Sequence, residues 1–203
     1  EINDFAVTVA TTALWIAESQ MMKETENIIH KDIDFFPLKT YTNIVEGNAL
    51  RMNWNEVIPA SELNYIMGNP PFVGARLMSE EQKDDVLAIF GAKWKNVGNL
   101  DYVCCWYKLS ADYMRGTSIR AALVSTNSVS QGEQVANLWK PLFEDYNIHI
   151  DFAWRTFRWD SEAHIKAHVH CVIIGFSIAS DATKRIFDGD TISVVKNINP
   201  YLC

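Results

Sequence analysis

Two adjacent prolines, in Asn69-Pro70-Pro71-Phe72, directly follow the apolar run Tyr65-Ile66-Met67-Gly68. Neither proline has a backbone N–H, so neither can continue a helix interior or a central strand. The spacing predicts a buried strand that stops dead at Gly68. Beyond it the chain presents a side-chain amide, a backbone carbonyl with no neighbouring N–H to compete for it, and an aromatic ring. A pair of acceptors beside a stacking surface suits an exocyclic amino group on a flat heterocycle. The bland alternative is a Pro-Pro turn with a buried Phe.

At 203 residues the chain is long enough for one domain with a short extension. Seven Trp, seven Tyr and ten Phe supply ample core. No apolar run approaches the ~18 residues a membrane span needs. Glu1-Ile2-Asn3-Asp4 is acidic where a signal peptide is basic. The four cysteines show no disulfide framework, because Cys104 and Cys105 are adjacent while Cys171 and Cys203 stand apart. Reduced thiols, no membrane and a cytoplasmic location are therefore expected. A net charge of −7 argues against a complete DNA-binding unit. It leaves room for a catalytic core that takes its DNA grip from another domain.

Along the chain, Asn3 to about Glu18 reads as a capped helix with Ala6, Ala10, Ala13, Ile16 and Ala17 on one face. Tyr41 to Glu46 reads as a short strand closed by Gly47-Asn48. Leu63 to Met67 is the strand before the prolines. Ser79-Glu80-Glu81-Gln82 is a capping box opening a helix that Gly91 can close. A second helix is expected from about Leu100 to Arg115, stopped by Gly116. Ile119 to Ser125 is so apolar that it predicts a strand buried on both faces. Gln131 to Glu144 is helical but should be interrupted at Pro141. Ile148 to Trp154 and Val169 to Phe176 read as a long hairpin at an antiparallel edge. Helices alternating with strands predict an α/β fold with a mostly parallel sheet. The polar stretch from Asp181 to Asp190 reads as a linker.

That order, together with the motif, resembles the S-adenosylmethionine-dependent amino-methyltransferases of DNA. Within them it is most similar to the adenine-specific methylases of bacterial restriction–modification systems. The resemblance covers Glu1 to Leu202. It implies a Rossmann-like three-layer sandwich whose substrate motif, Asp/Asn/Ser-Pro-Pro-aromatic, stands here as Asn69-Pro70-Pro71-Phe72. It implies cofactor contacts from Glu1 and Ile2 (a carboxylate on the ribose hydroxyls), from Asn48 and Ala49 (facing the cofactor's adenine amine), and from Asp101. Asn48 departs from the commoner Asp, and Gly47-Asn48 is also a plain turn signal. Asp101 is equally well an N-terminal helix charge. None of the nine glycines lies in Gly-x-Gly spacing, so the family's Gly-rich cofactor loop is expected upstream of Glu1. The implied organisation is a partial catalytic domain over 1–180, inactive alone. An exit segment over 181–203 would lead to a target-recognition domain, with a nuclease domain as a possible further part of the parent chain.

The resemblance further implies that Asn69 Oδ1 and the Pro70 carbonyl accept the two N–H groups of a flipped adenine's amine, with Pro71 fixing the turn and Phe72 stacking on the ring. No metal and no strong base is implied. Double-stranded DNA is the expected partner. Arg155, Arg158, His164, Lys166, His168 and His170 cluster around the hairpin, and Arg155, Arg158 and Lys166 are expected to approach phosphates or the base; a solvated hairpin is the alternative. Phe157 and Trp159 could stack or simply pack. The His164/His168/His170 spacing fits neither a helix face nor a strand face cleanly. A glutamine- or RNA-base methyltransferase, or a non-catalytic scaffold of the same fold, remain open from sequence.

Overall fold

The computed structural model describes residues 2–32, 44–160, 168–179 and 183–203. The chain forms two compact units, Glu1–Pro59 and Ala60–Cys203. In the first, helix α1 (Asp4–Ile29) is opened by Asn3, whose side chain accepts the Ala6 N–H at 2.9 Å. It runs well past the expected end near Glu18, because Met21 to Ile29 contains neither Gly nor Pro and is rich in helix formers. It ends at His30 in a left-handed conformation. A single-turn helix, α2 (Trp54–Val57), follows. Of the strand expected over 41–46, Tyr41, Thr42 and Asn43 lie outside the described residues. Ile44 to Glu46 has no place in the sheet order, so it is not a strand.

The second unit carries a six-stranded sheet in the order β1-β2-β4-β3-β5-β6. The strands are β1 (Tyr65–Gly68), β2 (Arg120–Thr126), β3 (His149–Asp160), β4 (His168–Ser177), β5 (Lys184–Asp188) and β6 (Thr191–Val195). Strands β1, β2, β3 and β5 point the same way; β4 and β6 run against them. The α/β expectation holds, and most strands share a direction. The neighbour pairing is nevertheless mixed, because β4 inserts between β2 and β3 instead of forming the edge with its hairpin partner. The antiparallel edge is β5–β6, drawn from the stretch expected to be a linker and exit segment. Gly189, at φ +56°, and Asp190 form its two-residue turn.

Two expectations about burial change as well. β1 has one strand neighbour, and Tyr65 and Met67, on one of its faces, are 67% and 83% exposed, so it is not a buried strand. In β2 burial alternates, with Ala121, Leu123 and Ser125 buried and the residues between them half-buried.

Helix α3 (Glu80–Phe90) has the expected capping box. Ser79 Oγ accepts the Gln82 N–H at 3.2 Å and Gln82 Oε1 accepts the Ser79 N–H at 3.0 Å. Helix α4 (Cys104–Tyr113) starts later than expected, after a 3-10 turn over Val97–Asn99. The helix through Pro141 is interrupted, as its sequence requires: α5 (Gly132–Gln134) passes into a π-helical turn (Val135–Trp139) before α6 (Lys140–Tyr146). Pro141 has no N–H for the carbonyl four residues back, that of Asn137. That carbonyl accepts the Trp94 indole N–H instead, at 2.6 Å.

These helices and the sheet enclose a core whose largest fully buried members include Trp139, Tyr107, Phe176, Leu123 and Ile174. Tyr107 stacks on Phe176 at 5.2 Å and meets Trp139 edge-on at 5.3 Å, while its hydroxyl bonds Ser125 Oγ at 2.8 Å. Such aromatic pairs add about 0.5–1.5 kcal/mol each beyond area burial. Lys108 is nearly buried against α6; Asp112 neutralises it, and its ammonium lies 5.2 Å from the Tyr146 ring.

On the other side of the β3–β4 pairing, Phe152 lies over its cross-strand partner Gly175. A Cβ there would be 2.1 Å from Phe152 Cε1. Gly175→Ala is therefore expected to cost about 1–3 kcal/mol by overpacking. Denaturant melts should show that loss, and a smaller one when Phe152→Leu is made in the same chain. Unchanged stability in Gly175→Ala would contradict the packing.

Candidate active site

The site is built at the end of the sheet where the co-directional strands finish, the usual location in open α/β sheets. Chain leaving β1 forms the Asn69-Pro70-Pro71-Phe72 turn. Asn69 is exposed, Pro70 buried, Pro71 exposed and Phe72 half-buried. Among the described residues no hydrogen bond occupies the Asn69 amide. The sequence-predicted turn is thus in place, with its amide facing solvent and its ring partly covered.

The segment after the turn is held firmly. The Val73 carbonyl accepts the Tyr102 N–H at 2.9 Å, and the Ala75 N–H donates to Asp101 Oδ1 at 2.9 Å. The other carboxylate oxygen, Asp101 Oδ2, accepts the Ser128 hydroxyl at 2.5 Å. Ser128 Oγ in turn lies 2.7 Å from Thr126 Oγ1, on the last residue of β2. The Asp101 N–H donates to Gln134 Oε1 at 3.2 Å, which also receives the Cys104 thiol at 3.2 Å. Sequence reasoning missed Thr126, Ser128 and Gln134. The signal was present as Thr126-Asn127-Ser128, a polar cluster ending an apolar strand.

The tips of β3 and β4 lie at this same end, since Cys171 pairs with both Thr126 and Phe157. One intervening strand separates β4 from β1, so β4 stands two strand spacings, about 10 Å, from the motif strand. Arg158 and His170 are cross-strand partners and both exposed. Phe157 and Trp159 share the opposite face, with ring centroids 6.3 Å apart, and Trp159 is exposed.

Arg155 makes two contacts within the protein. Its Nε donates to the Leu202 carbonyl at 2.9 Å and its Nη1 to Asp188 at 3.2 Å. It fastens the C-terminal turn to β3 and β5. The reason is local: Leu202 adopts φ +62°, and the arginine supplies a donor for its otherwise unladdered carbonyl. Lys166, His164 and Glu1 lie outside the described residues, as does the side chain of His168. Among the described residues no three His, Cys, Asp or Glu side chains converge as a metal site would require.

In the other unit, Asn48 Oδ1 accepts the Leu50 N–H at 2.9 Å, the geometry of an Asx turn. Ala49 offers its carbonyl to the Trp54 indole N–H at 2.9 Å. Ile2 is 68% exposed. Each Asp101 oxygen faces a protein donor. A cleft of about 960 Å³ between Trp94, Lys108, Arg115 and Tyr146 includes none of the motif residues.

With this geometry described, comparison with known proteins is decisive. Residues 1–188 match the MmeI DNA-methyltransferase domain. The chain belongs to that family. It is 45% identical over its whole length to DNA methyltransferase A of Bacillus subtilis (strain 168), of which it covers 23%. It superposes over its whole length on the type IIL restriction–modification enzyme MmeI, solved in complex with DNA, with a TM-score of 0.90 and 41% identity, covering 28% of that protein. The chain thus spans about a quarter of the length of these relatives. The type IIG restriction endonuclease BpuSI shares the fold alone, at 12% identity over 71% of this chain and a TM-score of 0.50. The family match and the MmeI superposition bear out the resemblance inferred from the motif, and the mixed sheet is that of the MmeI methyltransferase fold.

All four cysteines are free; Cys104, Cys105 and Cys171 are buried and Cys203 is exposed. Burial pushes Cys104 well above the usual thiol range and Cys105 up to about 12. Near neutral pH neither forms a thiolate, so neither serves as a nucleophile. The native state holds these protons when the unfolded chain has lost them, so stability should fall as pH rises above about 9. Thiol titration with a disulfide reagent at pH 8 should give one fast thiol, Cys203, and three more only on unfolding. A second fast thiol in the native protein would contradict the burial.

Proposed function

We propose that this chain is the substrate half of an enzyme that transfers a methyl group from S-adenosylmethionine to the exocyclic amine of adenine in DNA. The observation that carries the reading is the Asn69-Pro70-Pro71-Phe72 turn at the carboxyl end of β1. When bound, the cofactor supplies an electrophilic methyl group on a sulfonium. The residues of the chain do the rest. Asn69 Oδ1 and the Pro70 carbonyl accept the two N–H groups of the target amine. They stabilise the positive charge that develops on nitrogen as it bonds to carbon, and they take the hydrogen-bonding role that water would play for that amine. Pro71 cannot donate, so the Pro70 carbonyl meets no competing neighbour. Phe72 stacks on the extruded ring.

The residues available to the cofactor support the reading in part. Asn48 and Ala49 would face the cofactor's adenine amine, with Glu1 and Ile2 for the ribose. Arg158 and His170, exposed at the end of the sheet that carries the motif, suit the mouth of a base pocket reached by double-stranded DNA, with Phe157 and Trp159 on the opposite face. The phosphate grip that an acidic chain lacks would come from a recognition domain elsewhere in the parent polypeptide, a nuclease domain being a further part of it. A cytoplasmic setting fits free thiols.

Asn69→Ala in the complete natural polypeptide should lower methyl transfer to unmethylated DNA by about 10²–10³-fold. The dissociation constant for S-adenosylmethionine should change by less than about threefold, since Asn69 faces the substrate. Asn69→Asp should retain part of the activity. Phe72→Ala should act mainly on DNA affinity, by about 1–3 kcal/mol. Radiolabel transfer and calorimetric titration check both, and full activity in Asn69→Ala would overturn the mechanism.

A further inference from the structure

Resting on that reading, we propose that Asp101 is a positioning residue for the Asn69–Phe72 turn, joining it to the end of β2, and not a contact to the cofactor. With no N–H at Pro70 or Pro71, the turn cannot pin its own backbone through those residues. Backbone groups just beyond it must do so. The Val73 carbonyl and the Ala75 N–H are both held by the 101–102 segment, the second through Asp101 Oδ1 at 2.9 Å. Asp101 Oδ2 meanwhile takes the Ser128 hydroxyl at 2.5 Å, and Ser128 lies 2.7 Å from Thr126 Oγ1.

One carboxylate therefore links the chain leaving β1 to the chain leaving β2. Those two strands are parallel neighbours. Their separate exits would otherwise be free to shift against each other, and a shift of about 1 Å at a reacting centre can cost 10²-fold in rate. Charged acceptors make the stronger hydrogen bonds, and a carboxylate can take one from each side without presenting a donor. Its own backbone is fixed too, by the N–H to Gln134 at 3.2 Å. A ribose hydroxyl or an adenine amine would meet oxygens already facing protein donors.

The test compares Asp101→Ala, Asp101→Asn, Ser128→Ala and the Asp101→Ala/Ser128→Ala double variant in the complete natural polypeptide. Three readouts are needed: calorimetric titration of S-adenosylmethionine, the rate of methyl transfer to unmethylated DNA at saturating cofactor, and hydrogen exchange of the peptide spanning 69–76. Asp101→Ala should lower the maximal rate by about 10–100-fold. The cofactor dissociation constant should move by less than about threefold, and exchange protection at Ala75 should be lost. Ser128→Ala should act in the same direction but more weakly, and the double variant should be no worse than Asp101→Ala. Asp101→Asn, which keeps one acceptor while the Ser128 hydroxyl can reverse its role, should recover part of the rate. A tenfold or greater loss of cofactor affinity in Asp101→Ala, with the maximal rate kept and Ser128→Ala silent, would overturn the proposal and make Asp101 a cofactor ligand. If the wild type transfers no methyl to DNA, the functional reading fails. Hydrogen exchange still decides the positioning role: retained protection at Ala75 in Asp101→Ala would overturn it.

Discussion

Two consecutive residues without an amide hydrogen fix where β1 must end. Gly68 can pair with Leu123 of β2, but nothing at 70 or 71 can donate into a ladder. The motif is thus forced out at the carboxyl end of a parallel pair, the end where open α/β sheets place their chemistry. Everything else at that end takes its position from this break. Val73 and Ala75 are caught by the segment that leads into α4, and the turn after β2 is caught through Ser128. A motif that reads as a chemical signature is first of all a device for stopping a strand.

The same physics recurs at Pro141. There too a missing N–H leaves a carbonyl unserved inside an element, and a distant side chain, the Trp94 indole, supplies the donor. The interruption tightens the helical layer instead of loosening it, since it draws the segment after α3 onto the π-helical turn. Lys108, nearly buried between Trp94 and Tyr146, is tolerable in that seam because Asp112 neutralises it and the rings accept its charge.

Much of this was legible beforehand where a single residue type dictates geometry. The prolines, the Ser79/Gln82 capping box and the Pro141 interruption all follow from hydrogen-bonding capacity alone. What the sequence hid was tertiary. β5 holds only Ile186 and Phe187 as apolar residues, and Ile192 and Val194 of β6 are exposed, so neither alternation stood out from a linker; the Gly189-Asp190 turn was the available clue. The insertion of β4 between β2 and β3 leaves no local trace, because its apolar run reads alike in an edge and a central strand. Asp101 shows the limit most clearly. Its place before a helix suggested a dipole charge or a cofactor contact, and only the fold reveals that Ala75 and Ser128, far apart in sequence, converge on it. Arg155 likewise holds the Leu202 turn, a contact across 47 residues that the sequence does not display.

The proposed chemistry is that an amide and a carbonyl at one strand end recognise an exocyclic amine on adenine. It is tested most directly by digesting DNA treated with the complete natural polypeptide and isotopically labelled S-adenosylmethionine, and separating the nucleosides by mass spectrometry. Label is expected in N6-methyladenine and none on a ring carbon. Label in C5-methylcytosine would contradict the amine chemistry outright, and label in N4-methylcytosine would keep the acceptor pair but refute adenine as its target.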